Sequence, residues 1–297
     1  MTQVPDTIDV LIPHFCDRPG LARSLESVAA QDWGGTLRVI IYDDGSDPET
    51  FRQVQALVSQ SALGIELIRC ADNLGRPEAR NRLLDHSTAT FVAWLDTGDI
   101  WYPSKLRLQF ERLLSAVAEG HNPDHIWVTC PYDWKRDGAK PRRVLQQVTG
   151  NQTADLLTGD RLRAYLWTLL GTRASFEMAG RFDGRLPRLQ DLDFFLSFTR
   201  RGGILIAPQD KAPLCCYFKD DVGRNATEIR RCFDVVFAKH ANALRKKGAA
   251  FERGCRTRAD FVASRVARFN GRYDLYCWYT VRALVRTPRF AFRRLFR

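Results

Sequence analysis

Asp96 and Asp99 are the residues in this chain whose types and spacing most directly suggest chemistry. They bracket Thr97-Gly98 immediately after the short apolar run Phe91 to Leu95, and Trp101, Pro103 and a helical pattern from Ser104 follow. Carboxylates at the C-terminal end of a buried strand stand where open α/β sheets bind ligands. A glycine beside them lets a ligand approach the backbone closely. Such a pair suits a divalent cation that has a phosphate partner. The competing reading is structural, because acids also gather near helix N-termini for the dipole alone. A second acidic turn, Asp43-Asp44-Gly45-Ser46, ends another apolar run, Leu37 to Tyr42.

The elements that must position these acids alternate in type. Ile8 to Ile12 reads as a buried strand ending at Pro13, and PHFCDRPG as the loop after it. Leu21, Leu25 and Val28 recur at helical spacing. After the second strand, Pro48 opens a helix whose apolar face is Phe51, Val54 and Leu57. A third strand is expected at Ile65 to Ile68, a turn at Asn73-Leu74-Gly75, a helix over Glu78 to Leu84 and the fourth strand at Phe91 to Leu95. Such alternation implies a mostly parallel sheet with right-handed crossovers. Further on, Ile126 to Cys130 and Tyr165 to Leu170 read as strands, and Asp133 to Arg143 as an exposed polar loop. Ala174 to Ala179 and Asp191 to Arg201 read as helices, and Ile204 to Ala207 and Leu214 to Phe218 as short strands. From Thr227 the chain is mainly helical and basic.

Composition narrows the partners. The 297 residues are 45% apolar, ordinary for a globular protein, but the formal charge is +11. That excess favours nucleotide phosphates, nucleic acid or an acidic membrane surface. The eight cysteines form no CxxC pair, which suits a reducing cytosol better than a disulfide framework. The N-terminus lacks the basic start and long apolar core of a signal peptide, and no run reaches the roughly 18 apolar residues of a membrane span. His121 and His125 have a metal-compatible spacing, but Asn122-Pro123 breaks the helix that would align them. His14 and Cys16 lack a placed base or oxyanion donor for thiol chemistry.

Several motifs, in order, carry a resemblance to family 2 glycosyltransferases of the GT-A fold, over about Ile8 to Phe218. They are VLIPHFCDRPGLARSLESVAAQ, IIYDDGSDPET, NLGRPEARN, WLDTGDIWYPSKL and MAGRFDGRLPRLQDLDFFLSF. The resemblance implies a Rossmann-like, mostly parallel α/β sheet flanked by helices over residues 1–225. The nucleotide part would occupy about 1–105 and the acceptor part about 106–225, with a basic helical extension over 226–297. It implies inverting transfer from a nucleotide sugar, with a UDP-sugar first among the donors, to a hydroxyl of a glycan or lipid-linked glycan in cell-surface polysaccharide synthesis. Asp191 matches the family's general base. Pro13, Phe15, Asp17, Asp44, Arg80 and Asp96 fall on donor-binding positions, Trp101 on a platform for the acceptor or, equally, in core packing under the helix at Pro103, and Asp96 and Asp99 on the ligands of a Mn²⁺ or Mg²⁺ ion. Asp193 would brace the site. A competing role for Arg80 is a salt bridge to Asp43 or Asp44.

Two departures from the family pattern bear on activity. The metal motif usually reads Asp-x-Asp-Asp, and here Gly98 replaces the principal carboxylate. The acidic motif reads Gln190-Asp191 where relatives have Glu-Asp. Both feed an alternative, a catalytically inactive protein that binds a nucleotide sugar or a glycan. The Arg- and aromatic-rich end, above all Pro288 to Arg297, would lie peripherally on an anionic membrane at the cytoplasmic face. Nucleic acid is not expected, because no recognition motif accompanies the charge.

Overall fold

A computed structural model describes residues 7–135, 140–218 and 225–287. The chain begins β1 (Thr7–His14), α1 (Arg18–Ala29), β2 (Thr36–Asp44), α2 (Pro48–Ser59), β3 (Gly64–Cys70), α3 (Arg76–His86) and β4 (Phe91–Trp94). Next come β5 (Ile100–Trp101), α4 (Lys105–Ala118), β6 (Ile126–Val128), β7 (Tyr132–Lys135), β8 (Arg142–Val144) and α5 (Gln152–Thr158). Then follow β9 (Leu170–Thr172), α6 (Arg173–Ala179), α7 (Gln190–Arg200), β10 (Ile204–Ile206) and β11 (Cys215–Phe218). Four helices close the described chain: α8 (Ala226–Lys239), α9 (Ala241–Lys246), α10 (Ala249–Phe269) and α11 (Tyr273–Arg286).

Seven strands form the main sheet in the order β10-β6-β9-β4-β1-β2-β3. All neighbours are parallel except β9, which runs antiparallel to β4 and β6. Strands β1 and β2 are apolar almost throughout because helices cover both faces. The chain winds from β1 outward to β3 and then returns to place β4 on the other side of β1. That reversal leaves a crevice at the carboxyl edge between β1 and β4, where ligands bind in open α/β sheets. The loop after β1, the acidic turn after β2, the turn after β3 and Asp96 after β4 all emerge at this edge.

A second sheet, ordered β5-β11-β7-β8, stands beside the first. It corrects the expectation of a loop over Asp133 to Arg143, since β7 and β8 pair with Tyr132 opposite Val144. The other partner of β7, β11, lies far along the chain, so local polarity hid the pairing. Nor is Tyr165 to Leu170 a single strand. A 3-10 turn at Leu166–Thr168 precedes β9.

The helices after residue 225 share one apolar core with the sheet. Trp94, Trp127, Phe176 and Phe195 belong to the same buried cluster as Phe233 and Phe237 of α8 and Ala259 and Ala263 of α10. Burial of each phenylalanine contributes about 1.5–3 kcal/mol. Polar ties reinforce the docking. Asp193 of α7 accepts from Lys239 Nζ at 2.6 Å and pairs with His240 Nε2 at 2.7 Å. Asp260 of α10, fully buried, is held by Arg230 of α8 at 2.6 Å and by Arg286 of α11. Among the described residues no helix is long and apolar enough to cross a membrane.

Candidate active site

The crevice at the carboxyl edge is a cavity of about 270 Å³ lined by Pro13, His14, Phe15, Asp17, Asp44, Asn73, Arg76, Asp96 and Thr97. Its loop is held from beneath. His14 Nδ1 donates to Asp43 Oδ2 at 2.8 Å, and its Nε2 accepts from the Asp17 backbone N–H at 3.3 Å, which assigns the ring proton to Nδ1. Asp43 also accepts from the Ser46 backbone N–H at 2.9 Å. Asp43 is fully buried and serves the turn, whereas Asp44 lines the cavity. Each Asp44 oxygen accepts one backbone N–H, from Leu74 at 3.0 Å and Gly75 at 2.9 Å, which closes the turn after β3 over the site. Burial, with the neighbouring acids adding to it, raises the Asp44 carboxyl above its ordinary value. Asp17 caps α1 by accepting from the Gly20 N–H at 2.9 Å. Phe15 remains 49% exposed, so its ring is open to a flat partner.

Arg80 occupies a different place from the one expected. Its side chain is 1% exposed and lines neither cavity. Nη2 donates to both oxygens of Asp96, at 2.8 and 3.0 Å, and Nη1 pairs with Asp191. Arg80 therefore bridges Asp96, which lines the crevice, to Asp191, and its partners are these two acids, not Asp43 or Asp44. Burial opposes the Asp96 charge, but the Arg80 and Arg76 guanidiniums outweigh it and hold the carboxyl below the usual range. The second Asp191 oxygen accepts from the Leu166 N–H at 3.2 Å. Leu189, just before this helix, has φ of 62°, the left-handed region that a branched side chain rarely adopts, and this kink turns Gln190 and Asp191 into the site.

Asp99 is buried, and its Oδ1 accepts from the Phe218 N–H at 3.2 Å. Burial and the nearby Asp96 charge push its carboxyl well above the ordinary carboxylate range. A buried acid and a partly exposed one that repel each other are relieved by a divalent cation, and Mg²⁺ or Mn²⁺ needs only one or two protein carboxylates when a diphosphate and water complete its shell. Asp96 and Asp99 fit such a cation on those terms. They do not make a self-sufficient cage: among the described residues no group of three His, Cys, Asp or Glu side chains converges.

Asp96 and Arg76 also line a second, larger cavity of about 680 Å³. Asp191 sits on its wall, with Trp134, Tyr165, Trp167 and Tyr217 nearby. The Trp167 ring stacks on Tyr165 at 5.3 Å and on Tyr217 at 5.6 Å. Trp101 is not part of this wall. Its indole is 2% exposed, donates to the Trp167 carbonyl at 3.3 Å and lies under Lys105 Nζ, 4.1 Å from the ring centre. It is core packing, which corrects its expected role as acceptor platform. Arg76, at the start of α3 and four residues before Arg80, was not singled out in the sequence, although it opens the same GRPEAR segment. Pro288 to Arg297 lie outside the described residues.

Known proteins match this arrangement. The description "Glycosyl transferase family 2" fits residues 9–163. Succinoglycan biosynthesis protein ExoM of Rhizobium meliloti (strain 1021) is 29% identical over 195 residues, 63% of this chain and 60% of that protein. The UDP-Glc:alpha-D-GlcNAc-diphosphoundecaprenol beta-1,3-glucosyltransferase WfgD of Escherichia coli is 27% identical over 107 residues, 36% of this chain and 41% of that protein. These matches thus span less than two thirds of either relative. Among solved structures, the mannosyltransferase PcManGT from Pyrobaculum calidifontis in complex with GDP-Man and Mn²⁺ aligns with a TM-score of 0.59 at 18% identity, covering 95% of this chain and 81% of that one. TarS 1-349 of S. aureus in complex with UDP aligns at 0.58 and 14% identity, covering 95% and 92%. The fold is the GT-A α/β fold expected from the motifs, and with its family match extending over half its length, the chain belongs to glycosyl transferase family 2.

Proposed function

We propose that the protein is an inverting glycosyltransferase that moves a sugar from a nucleotide-sugar donor to a hydroxyl of a glycan or lipid-linked glycan acceptor. The observation that carries this reading is the meeting of two cavities at Asp96 and Arg76, with Asp191 on the wall of the larger. The smaller would hold the nucleotide: Phe15 and Pro13 against the base, Asp44 and Asp17 at its polar edge. A UDP-sugar is the first donor to test, in keeping with the donor that WfgD's name prints and the UDP bound to TarS. The larger cavity would hold the acceptor, its sugar against the partly exposed Tyr165 and Tyr217 rings, which the buried Trp167 backs from the core.

Departure of the nucleoside diphosphate builds negative charge beside Asp96, Asp99 and Arg76. A Mn²⁺ or Mg²⁺ ion held by Asp96 and Asp99 would supply a counter-charge for that leaving group. Arg76, exposed between both cavities, adds a second. Asp191 takes the proton from the acceptor hydroxyl, and direct attack opposite the leaving group inverts the anomeric centre. Arg80 fixes the Asp191 carboxylate relative to Asp96, so base and donor keep one geometry.

One observation favours a second reading, binding without transfer: in this structure each Asp191 oxygen already has a partner. The experiment that separates the two is a transfer assay of the wild type and Asp191→Asn over a panel of nucleotide sugars and glycan acceptors. Turnover that collapses in the variant supports the enzyme, and nucleotide binding without any wild-type turnover supports the binder. Peripheral contact with an anionic membrane is part of the same proposal, supported by Tyr273, Trp278, Val281 and Val285 of α11, each more than half exposed among basic residues.

A further inference from the structure

We propose that the acceptor carries a phosphate or diphosphate group, bound by arginines that the C-terminal helix α10 contributes together with Arg188. This deepens the glycosyltransferase reading and rests on it. Among the described residues, six arginines line the larger cavity: Arg76, Arg142, Arg163, Arg188, Arg265 and Arg268. Among the described residues the acids of its lining are Asp96 and Asp191, and both are already paired with Arg80, which is outside the lining. The cavity therefore presents a large positive excess.

A neutral glycan gives no reason for that excess. Sugars are met by ring stacking and uncharged hydrogen bonds, and like charges gathered around one cleft repel one another. Low-dielectric aromatic walls focus the field of such a cluster on whatever enters. The cations here are all arginines. A guanidinium offers a planar fork that matches a phosphate or carboxylate with two parallel hydrogen bonds, which a lysine cannot do.

The register of α10 shows that its contribution is not accidental. Val262, Arg265, Val266 and Phe269 line the cavity and recur at i, i+3, i+4 and i+7, one face of the helix. The adjacent side of α10 is buried, with Ala259, Ala263 and Ala267 in the core and Val266 at the border between the two. Arg268 is steadied by Tyr276 of α11, whose ring centre is 5.9 Å from the guanidinium carbon. On the facing wall, Arg188 leads into the kinked turn before Asp191 and has Glu228 at 3.6 Å. An acceptor with its hydroxyl at Asp191 thus has arginines of two elements within the same cleft to receive a charge on its far end. The basic C-terminal region then reads the acceptor as well as any surface.

The test uses the full chain and three probes: N-acetylglucosamine linked through diphosphate to a short alkyl chain, N-acetylglucosamine 1-phosphate, and the neutral octyl glycoside of the same sugar. Binding is followed by tryptophan fluorescence, since Trp134 and Trp167 line the cavity. Wild type should bind a phosphorylated probe at least roughly tenfold tighter than the neutral one, the worth of one charge-assisted hydrogen bond. Added salt should narrow the gap. Arg265→Ala with Arg268→Ala should abolish the preference, and the paired lysine replacements should restore part of it. Preference for the alkyl diphosphate alone assigns a lipid-linked source, while equal binding of both phosphorylated probes assigns the phosphate itself. Equal wild-type affinity for charged and neutral probes would overturn the proposal, and so would a double variant that weakens all three alike. Nucleotide-sugar binding and transfer, measured separately, test the glycosyltransferase reading, so its failure is distinguishable from failure here.

Discussion

Arg80 of α3 donates Nη1 to Oδ1 of Asp191, a contact that spans 111 residues of chain. The same guanidinium holds Asp96 through Nη2, so one buried side chain fixes the distance between the leaving-group side and the base. Removing it strands two carboxylates and leaves a cavity among buried residues. Breaking a buried ion pair by deleting one partner costs about 3–5 kcal/mol. Arg80→Met is expected to lose stability on that scale in urea unfolding, with no detectable transfer in the fraction that folds. A variant as stable as wild type would mean that the triad contributes nothing to the fold.

Asp191→Asn keeps the shape and removes the negative charge that accepts a proton. Transfer is expected to fall by roughly 10²- to 10⁴-fold, the usual contribution of a positioned base. Donor affinity should change little, because Asp191 lines the larger cavity and not the smaller one. Steady-state rates with separate donor titrations check both halves. Wild-type turnover in this variant would remove Asp191 from the chemistry.

Gly98 sets the limit on restoring a fuller metal motif. Its φ is +93°, and a Cβ there would stand 3.5 Å from Asp17 Oδ2. Gly98→Asp therefore adds backbone strain and a like charge, at about 1–3 kcal/mol for the strained residue. A lower melting temperature is expected. Asp99→Asn, by contrast, should leave the fold intact and weaken Mn²⁺-dependent donor binding, read by calorimetry with and without EDTA. Donor binding that ignores EDTA in the wild type would exclude a metal from the donor site.

Much of this was legible in the sequence, for identifiable reasons. The apolar runs at Ile8, Leu37 and Phe91 mark buried parallel strands because they are short and flanked by turns, the first two broken only by Asp9 and Arg38, which pair with each other. The acids at their ends mark the carboxyl edge. Local pattern could not show which side chains meet. Arg76 and Arg80 sit four apart on one helix, yet one faces both cavities and the other is buried, a choice made by Asp96 and Asp191. Trp101 after a turn reads equally as platform or core until Trp167 and Lys105 are placed around it. The mixed basic and aromatic pattern of α10 gave helical spacing but not the face that lines the cleft.

Asp9 offers a test of stability against pH. It is fully buried on β1, paired with Arg38 Nε and Nη2 at 2.8 Å, and accepts from Ser87 Oγ and the Thr88 and Ala89 backbone N–H groups. Burial alone would raise its carboxyl, but Arg38 and these donors outweigh it and leave it below its ordinary value. The folded state therefore binds its proton less readily than the unfolded chain. The stabilisation is complete above the unfolded value, near 4, and is lost as pH falls through the lower folded value. Urea unfolding of Asp9→Asn should show a smaller loss of stability between about pH 5 and 3 than wild type. Parallel curves would mean that Asp9 does not contribute.

Lys105 gives the opposite sign. Its Nζ is fully buried, has no hydrogen-bond partner among the described residues and rests on the Trp101 ring. Burial pulls its ammonium below the ordinary lysine value, with the Cys130 and Cys215 thiols only partly opposing. The unfolded chain then binds the proton more readily than the folded one, so stability rises with pH across the interval up to the unfolded value, near 10.4. Lys105→Met fills nearly the same volume without a charge to desolvate. By analogy with buried ionic groups replaced by apolar ones, it should be neutral or stabilising, by up to about 1–4 kcal/mol. The gain should be largest at neutral pH and shrink toward alkaline pH, where the wild-type amine is already neutral. Thermal melts of both proteins from pH 7 to 10 measure it. A strongly destabilised Lys105→Met at every pH would show that the ammonium's contact with Trp101 outweighs the cost of its burial.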